Sequence, residues 1–152
     1  MSRHSVLKGK AGEREFCAEL AKFTGANVLV RNLEQSRSGG HDLYMPDDVH
    51  VDKALAERLD DFCIEIKRYK RCKPSDISKW WKQACEQADR RRKNPMLAYR
   101  LDHQAWKCLV HVGKFPDHDV RGCIAMELEL FAEILRHGFK DALSPERTAH
   151  SF

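Results

Sequence analysis

The stretch FCIEIKRYKR, residues 62–71, decides the reading of this chain. Phe62, Cys63, Ile64 and Ile66 make it a buried strand, yet Glu65 and Lys67 sit among them. Strand alternation sends Cys63, Glu65 and Lys67 to one face and Phe62, Ile64, Ile66 and Arg68 to the other. Glu65 and Lys67 therefore share a face, about 7 Å apart along the strand. A salt bridge on a surface strand would be the plain explanation. A run this apolar instead suggests a central strand, where a charge costs several kcal/mol unless it is paired or bound to a metal.

Outward from that strand, the chain reads as a compact α/β pattern without repeats or low-complexity segments. Its 152 residues suit one domain, with a core over about 8–113, a terminal helix over about 126–138 and a tail over 139–152. A hydrophobic content of 42% with 33% charged residues describes a globular protein rather than a disordered one. No apolar run approaches the roughly 20 residues of a membrane helix, and MSRHSVLKGK has no apolar signal region. The expected location is the cytoplasm, without a membrane partner. The six cysteines contain no C-x-x-C pair, and Cys17, Cys63, Cys85 and Cys108 fall in apolar patterns, so they read as reduced core thiols.

The spacing of Phe16, Leu20 and Phe23 predicts a helix over about 11–24, stopped by Gly25. NVLVR (27–31) and HDLYM (41–45) read as strands that form one sheet with 62–68, after which Pro46 ends the second of them. An acidic insertion over 47–61 carries a single helical turn around 54–59. Pro74 and Ser75 open a helix whose apolar stripe runs through Ile77, Trp80, Trp81, Ala84, Cys85 and Ala88 to a stop at Asn94 and Pro95. MLAYRL (96–101) and WKCLVHV (106–112) suggest a further strand pair. The order is αβββαββα, one mixed sheet flanked by helices.

The net charge of +4 is unevenly spread. Residues 67–93 hold eleven Lys and Arg against Asp76, Glu86 and Asp89, a net +8, so the remainder sums to −4. Such a cluster is either a solvated helix face or a phosphate-binding surface, and the chemistry beside it decides which. On the first helix, at about 100° per residue from Phe16, Glu13 falls near 60° on the apolar stripe and Glu15 near 260°, off it. Asp42 follows Gly39 and Gly40 at a strand start, where a substrate could come close, whereas Pro46 leaves Asp47 and Asp48 in the insertion. Glu13, Asp42 and Glu65 with Lys67 suit a hard divalent cation, Mg²⁺ or Mn²⁺, better than Zn²⁺. Lys67 could orient or deprotonate a water, or stabilise charge on a phosphate; the residues leave these open. On the Trp80 helix, Gln83 and Gln87 lie on one flank of the stripe, where either could bond a metal-bound water or a phosphate, with Gln83 taken as the candidate catalytic group. Trp80 and Trp81 fall on or beside the apolar face and read as core.

GGHDL followed by IEIK resembles the D…(D/E)-x-K core of the PD-(D/E)-x-K nuclease superfamily. More narrowly, KGKAGEREFCAEL with VLVR, HDLYM and CIEIKRYK is similar to the archaeal-type Holliday junction resolvases and their virus-encoded relatives. The resemblance covers residues 8–70 well and the rest by element order only. It implies a restriction-endonuclease-like αβββαβ core and a Mg²⁺-dependent endodeoxyribonuclease. It further implies Asp42 and Glu65 as principal metal ligands, Glu13 as the helix carboxylate, the Ile66 carbonyl as a further ligand and Lys67 as the catalytic lysine. Two departures, the long 47–61 insertion and the unusual DISKWWKQACEQADRRRK helix, bear on which DNA is cut rather than on the chemistry. Lys8, Lys10, Arg14, Arg37, Arg68, Lys70, Arg71, Arg90, Arg91 and Arg92 are the expected DNA contacts, with Ser36 and Ser38 in a candidate phosphate loop and His41 beside it. A homodimer is the simplest assembly for two matched incisions, no small-molecule cofactor is expected, and a virus-encoded protein would work in its host's cytoplasm.

Overall fold

The first helix, α1 (Arg3–Thr24), begins eight residues before the expected start, because the chain stays helical through Gly9 and Gly12. The structure, a computed structural model, describes residues 3–25, 30–31, 43–44, 53–111 and 118–138, with side chains in α1 from Gly9 onward and backbone alone at 30–31 and 43–44. Gly25 ends α1 at φ +77, its N–H donating to the Ala21 carbonyl at 2.8 Å.

Strands β1 (Val30–Arg31) and β2 (Leu43–Tyr44) pair antiparallel. Among the described residues they form a two-stranded ladder of their own, and the remainder of the strands expected over 27–31 and 41–45 lies outside those residues. Between β2 and the next strand stands a full helix, α2 (Lys53–Asp60), in place of the single turn expected. Leu55 and Leu59 bury its apolar face. Arg58 donates Nη1 to the carbonyls of Leu135 and Arg136, at 2.9 and 3.0 Å, capping the end of the last helix. The later part of the insertion thus has a structural occupation, while 47–52 lie outside the described residues.

The main sheet runs β3 (Phe62–Tyr69), β4 (Asn94–Leu101), β5 (Lys107–His111) and β6 (Cys123–Glu127), in that spatial order. β3 and β4 are parallel, joined by the crossover helix α3 (Pro74–Arg91), and the remaining pairs are antiparallel. The mixed sheet flanked by helices is as expected. β6 was not foreseen, because Met126 already fits the helical spacing of the terminal helix, α4, which spans Leu128–His137. Among the described residues β3 pairs on one side only, with β4, and most of the two strands expected beside it, 27–31 and 41–45, lies outside those residues. Its burial comes from helices covering both of its faces.

Those faces carry separate cores. Ile64, Ile66, Met96, Ala98, Cys108 and Met126 pack beneath α1, α2 and α4, with Phe16 edge-on to Trp106 at 5.4 Å. Leu97 and Leu109 pack against Trp80, Trp81, Ala84 and Cys85 of α3. All six cysteines are free, and Cys63, Cys85 and Cys108 are fully buried, as thiols of the core.

α1 lies directly on β3. A Cβ at Gly12 would stand 2.6 Å from the Cβ of Arg68, whereas one at Gly9 would meet nothing within 4 Å. Charge locks the same crossing. Glu15 accepts from Arg68 Nε at 3.3 Å and Arg100 Nη1 at 3.1 Å, and Arg68 also binds Asp102. Gly9→Ala should therefore gain up to about 1 kcal/mol from helix propensity, while Gly12→Ala should lose roughly 1–3 kcal/mol to overpacking. Urea denaturation of both variants reads the difference in sign. Glu15→Ala leaves two half-buried guanidinium groups facing each other, and the same measurement should show a loss of about 1–2 kcal/mol that shrinks in high salt.

Candidate active site

The alternation of β3 holds. Cys63, Glu65, Lys67 and Tyr69 stand on the face toward α3, in register with Pro95, Leu97, Tyr99 and Leu101 of β4. The Glu65 side chain is 3% exposed and that of Lys67 16%, and Lys67 Nζ lies 2.7 Å from Glu65 Oε1. Two side chains starting about 7 Å apart thus lean together into one ion pair. The pair offsets part of the several kcal/mol that a lone buried carboxylate would cost.

Glu13 is buried at 8% exposure, as its position on the apolar stripe of α1 predicts, and Glu15 is off that stripe. Burial first, and the Glu13 charge second, push the Cys17 thiol one turn later up to about 11. α1 covers the Ile64/Ile66 face of the sheet while Glu65 looks toward α3. Glu13 and Glu65 can therefore serve one ligand only around the edge of β3 that faces away from β4.

Asp42 and Arg37 lie outside the described residues, with Ser36, Ser38 and His41, and so do Asp47, Asp48 and the Lys8 side chain. Among the described residues no group of three or more His, Cys, Asp or Glu side chains is placed to hold a metal ion. What they do offer, a buried carboxylate with an amine at 2.7 Å and a second buried carboxylate on the neighbouring helix, is donor chemistry that fits a hard divalent cation. The Ile66 side chain is anchored in the α1-side core, which fixes the strand between Glu65 and Lys67.

On α3 the two glutamines separate. Gln83 is exposed, whereas Gln87 is half-buried, its buried Oε1 without a hydrogen-bond partner among the described residues. The buried stripe through Trp81, Ala84, Cys85 and Ala88 turns Gln87 inward and leaves Gln83 on the exposed flank. Trp80 and Trp81 are core, as expected.

The basic run divides between opposite ends of the sheet. α3 connects parallel strands, so it must run back along them. Lys70 and Arg71 stay at the C-terminal end of β3, while Arg90, Arg91 and Arg92 reach the N-terminal end of β4; all five are exposed. Lys93 is taken by Asp60 at 2.9 Å. Lys10 and Arg14 are exposed on α1. Arg68, expected on DNA, is instead engaged by Glu15 and Asp102 beneath Gly12. That network joins residues up to 85 apart in sequence, and no local pattern announces it.

No helix among the described residues is long and apolar enough to cross a membrane. No curated protein matches the chain. Among solved structures, a similar chain is Hjc of Archaeoglobus fulgidus, a Holliday junction resolvase from an archaeal hyperthermophile. It is 16% identical, the match covers 79% of this chain and 84% of that one, and the TM-score is 0.40. Residues 4–121, which include α1, the Glu65/Lys67 strand and the crossover helix, match the family described as "Phage putative PDDEXK endonuclease", and the chain belongs to that PD-(D/E)-x-K nuclease family.

Proposed function

We propose that this protein is a Mg²⁺- or Mn²⁺-dependent endodeoxyribonuclease that acts on branched DNA of the four-way junction kind. The observation that carries the chemistry is the buried Glu65 carboxylate held 2.7 Å from Lys67 on one strand face. Asp42 and Glu65, with Glu13 and the Ile66 carbonyl, would hold the cation. When bound, the cation supplies an activated water and neutralises charge gathering on the phosphate. Hydrolysis joins the water oxygen to phosphorus as the bond from phosphorus to the leaving deoxyribose oxygen breaks.

Lys67 gives one N–H to Glu65 and keeps two further donors for a water or a phosphoryl oxygen. Glu65 in turn fixes the amine, so that it need not reorganise as charge develops. Gln87 or Gln83 would add a polar contact from α3. Lys10, Arg14, Lys70, Arg71, Arg90, Arg91 and Arg92 would hold phosphates along the duplex without reading its sequence. Branch specificity rests on the sequence likeness of residues 8–70 to junction resolvases, and two matched cuts would call for a symmetric dimer. The place of action would be the cytoplasm of a host cell.

The test compares four-way junction, flap, linear duplex and RNA substrates with and without Mg²⁺. Paired nicks in the junction, dependent on Mg²⁺, are expected. Equal cutting of linear duplex would sink the branch specificity, and cutting in EDTA would sink the metal. Glu65→Ala should lose roughly a hundredfold or more of the cleavage rate while retaining DNA affinity. Undiminished cleavage by the pure variant would show that the active site lies elsewhere.

A further inference from the structure

Tyr69 is the most exposed of the large hydrophobic side chains among the described residues, at 44%. It lies two residues beyond Lys67 on the same strand face, about 7 Å further along β3. One side of its ring rests on Trp80, with centroids 4.7 Å apart and planes 25° from parallel. Trp80 is itself largely buried and braced by Tyr99 at 6.3 Å. The Tyr69 backbone is pinned as well: its carbonyl accepts from Asp102 N–H at 3.1 Å and from Arg68 Nη1 at 3.2 Å. The result is a rigid aromatic ring, supported from behind and open in front, at the end of the strand that carries Glu65 and Lys67.

Lys70, Arg71 and Lys73 follow it immediately. All three are exposed, and none forms an ion pair among the described residues. A pinned aromatic face beside exposed cations is the arrangement that takes a base by stacking and its flanking phosphates by charge. In an intact duplex both faces of each base are already covered by neighbours, so only an unpaired or displaced base can use such a platform. We infer that Tyr69 stacks on an unpaired nucleobase beside the scissile phosphate, and so gives the enzyme a preference for DNA that is unstacked at the cleavage point. This inference rests on the nuclease reading above. A merely structural Tyr69, present to cover Trp80, would be replaced without loss by any side chain of similar size.

The test uses the full chain in EDTA and a forked DNA carrying 2-aminopurine, placed in turn at each position around the branch, because stacking quenches its fluorescence. The wild-type protein should quench the probe at one position next to the mapped cut. Tyr69→Leu should abolish that quenching and weaken fork binding about tenfold, with linear-duplex affinity changed less than about twofold. Tyr69→Phe and Tyr69→Trp should retain both quenching and affinity, and thermal melting of all three variants shows that each is folded. Wild-type quenching in folded Tyr69→Leu, or an equal loss on fork and linear duplex, would overturn the stacking role while leaving the nuclease reading intact. Failure of the wild-type protein to bind the fork would overturn the stacking role, and failure to bind a four-way junction as well would overturn both.

Discussion

A carboxylate buried to 3% exposure on a strand, with a lysine amine at 2.7 Å, is the constraint around which this fold is arranged. Such a pair is a poor route to stability, since apolar residues of similar volume usually serve as well or better. Keeping it requires a strand fixed in register and covered on both faces. β3 has this: Ile64 and Ile66 are locked beneath α1, the crossover helix closes over the opposite face, and the parallel ladder to β4 sets Glu65 opposite Leu97 and Lys67 opposite Tyr99. Gly12 allows α1 to come down onto β3, and the Glu15, Arg68, Arg100 and Asp102 network holds it there. The scaffold thus fixes the strand while leaving the ion pair near its middle.

Much of this was legible in the sequence because it depends on period alone. Alternation placed Glu65 and Lys67 together, and helical rotation placed Glu13 inward and Glu15 outward. Non-local contacts were not legible. Glu15, off the apolar stripe, looked like a solvent-facing residue, yet it joins two arginines contributed by different strands. Arg68 looked like a phosphate contact because it follows Glu65 and Lys67, and the partner that occupies it, Asp102, is 34 residues away. α2 was underestimated because its buried positions, Leu55 and Leu59, make only a short stripe in an acidic segment. β6 was hidden by the helical spacing that begins at its own Met126. Asp42, the second expected ligand, lies outside the described residues, so its place in the site rests on the motif.

Charge shows how topology redistributes what a sequence places together. Residues 67–93 form a single basic run along the chain, but the helical crossover between parallel strands lays that run along the length of the sheet. One cluster, Lys70 and Arg71, sits just beyond Tyr69; the other, Arg90 to Arg92, lies at the far end. A long, backbone-following contact suits that spread better than a single phosphate pocket does.

On the proposed reading, the buried Glu65 charge is kept to bind a divalent cation. Titration of Mn²⁺ into the DNA-free protein, followed by the loss of free Mn²⁺ signal in electron paramagnetic resonance, tests it without any assay of cleavage. Saturable binding by the wild-type chain is expected, with at least about tenfold weaker binding in Glu65→Gln and in Asp42→Asn, and Glu15→Gln unchanged. Wild-type affinity in a folded Glu65→Gln variant would contradict it and leave the Glu65–Lys67 pair as a structural salt bridge.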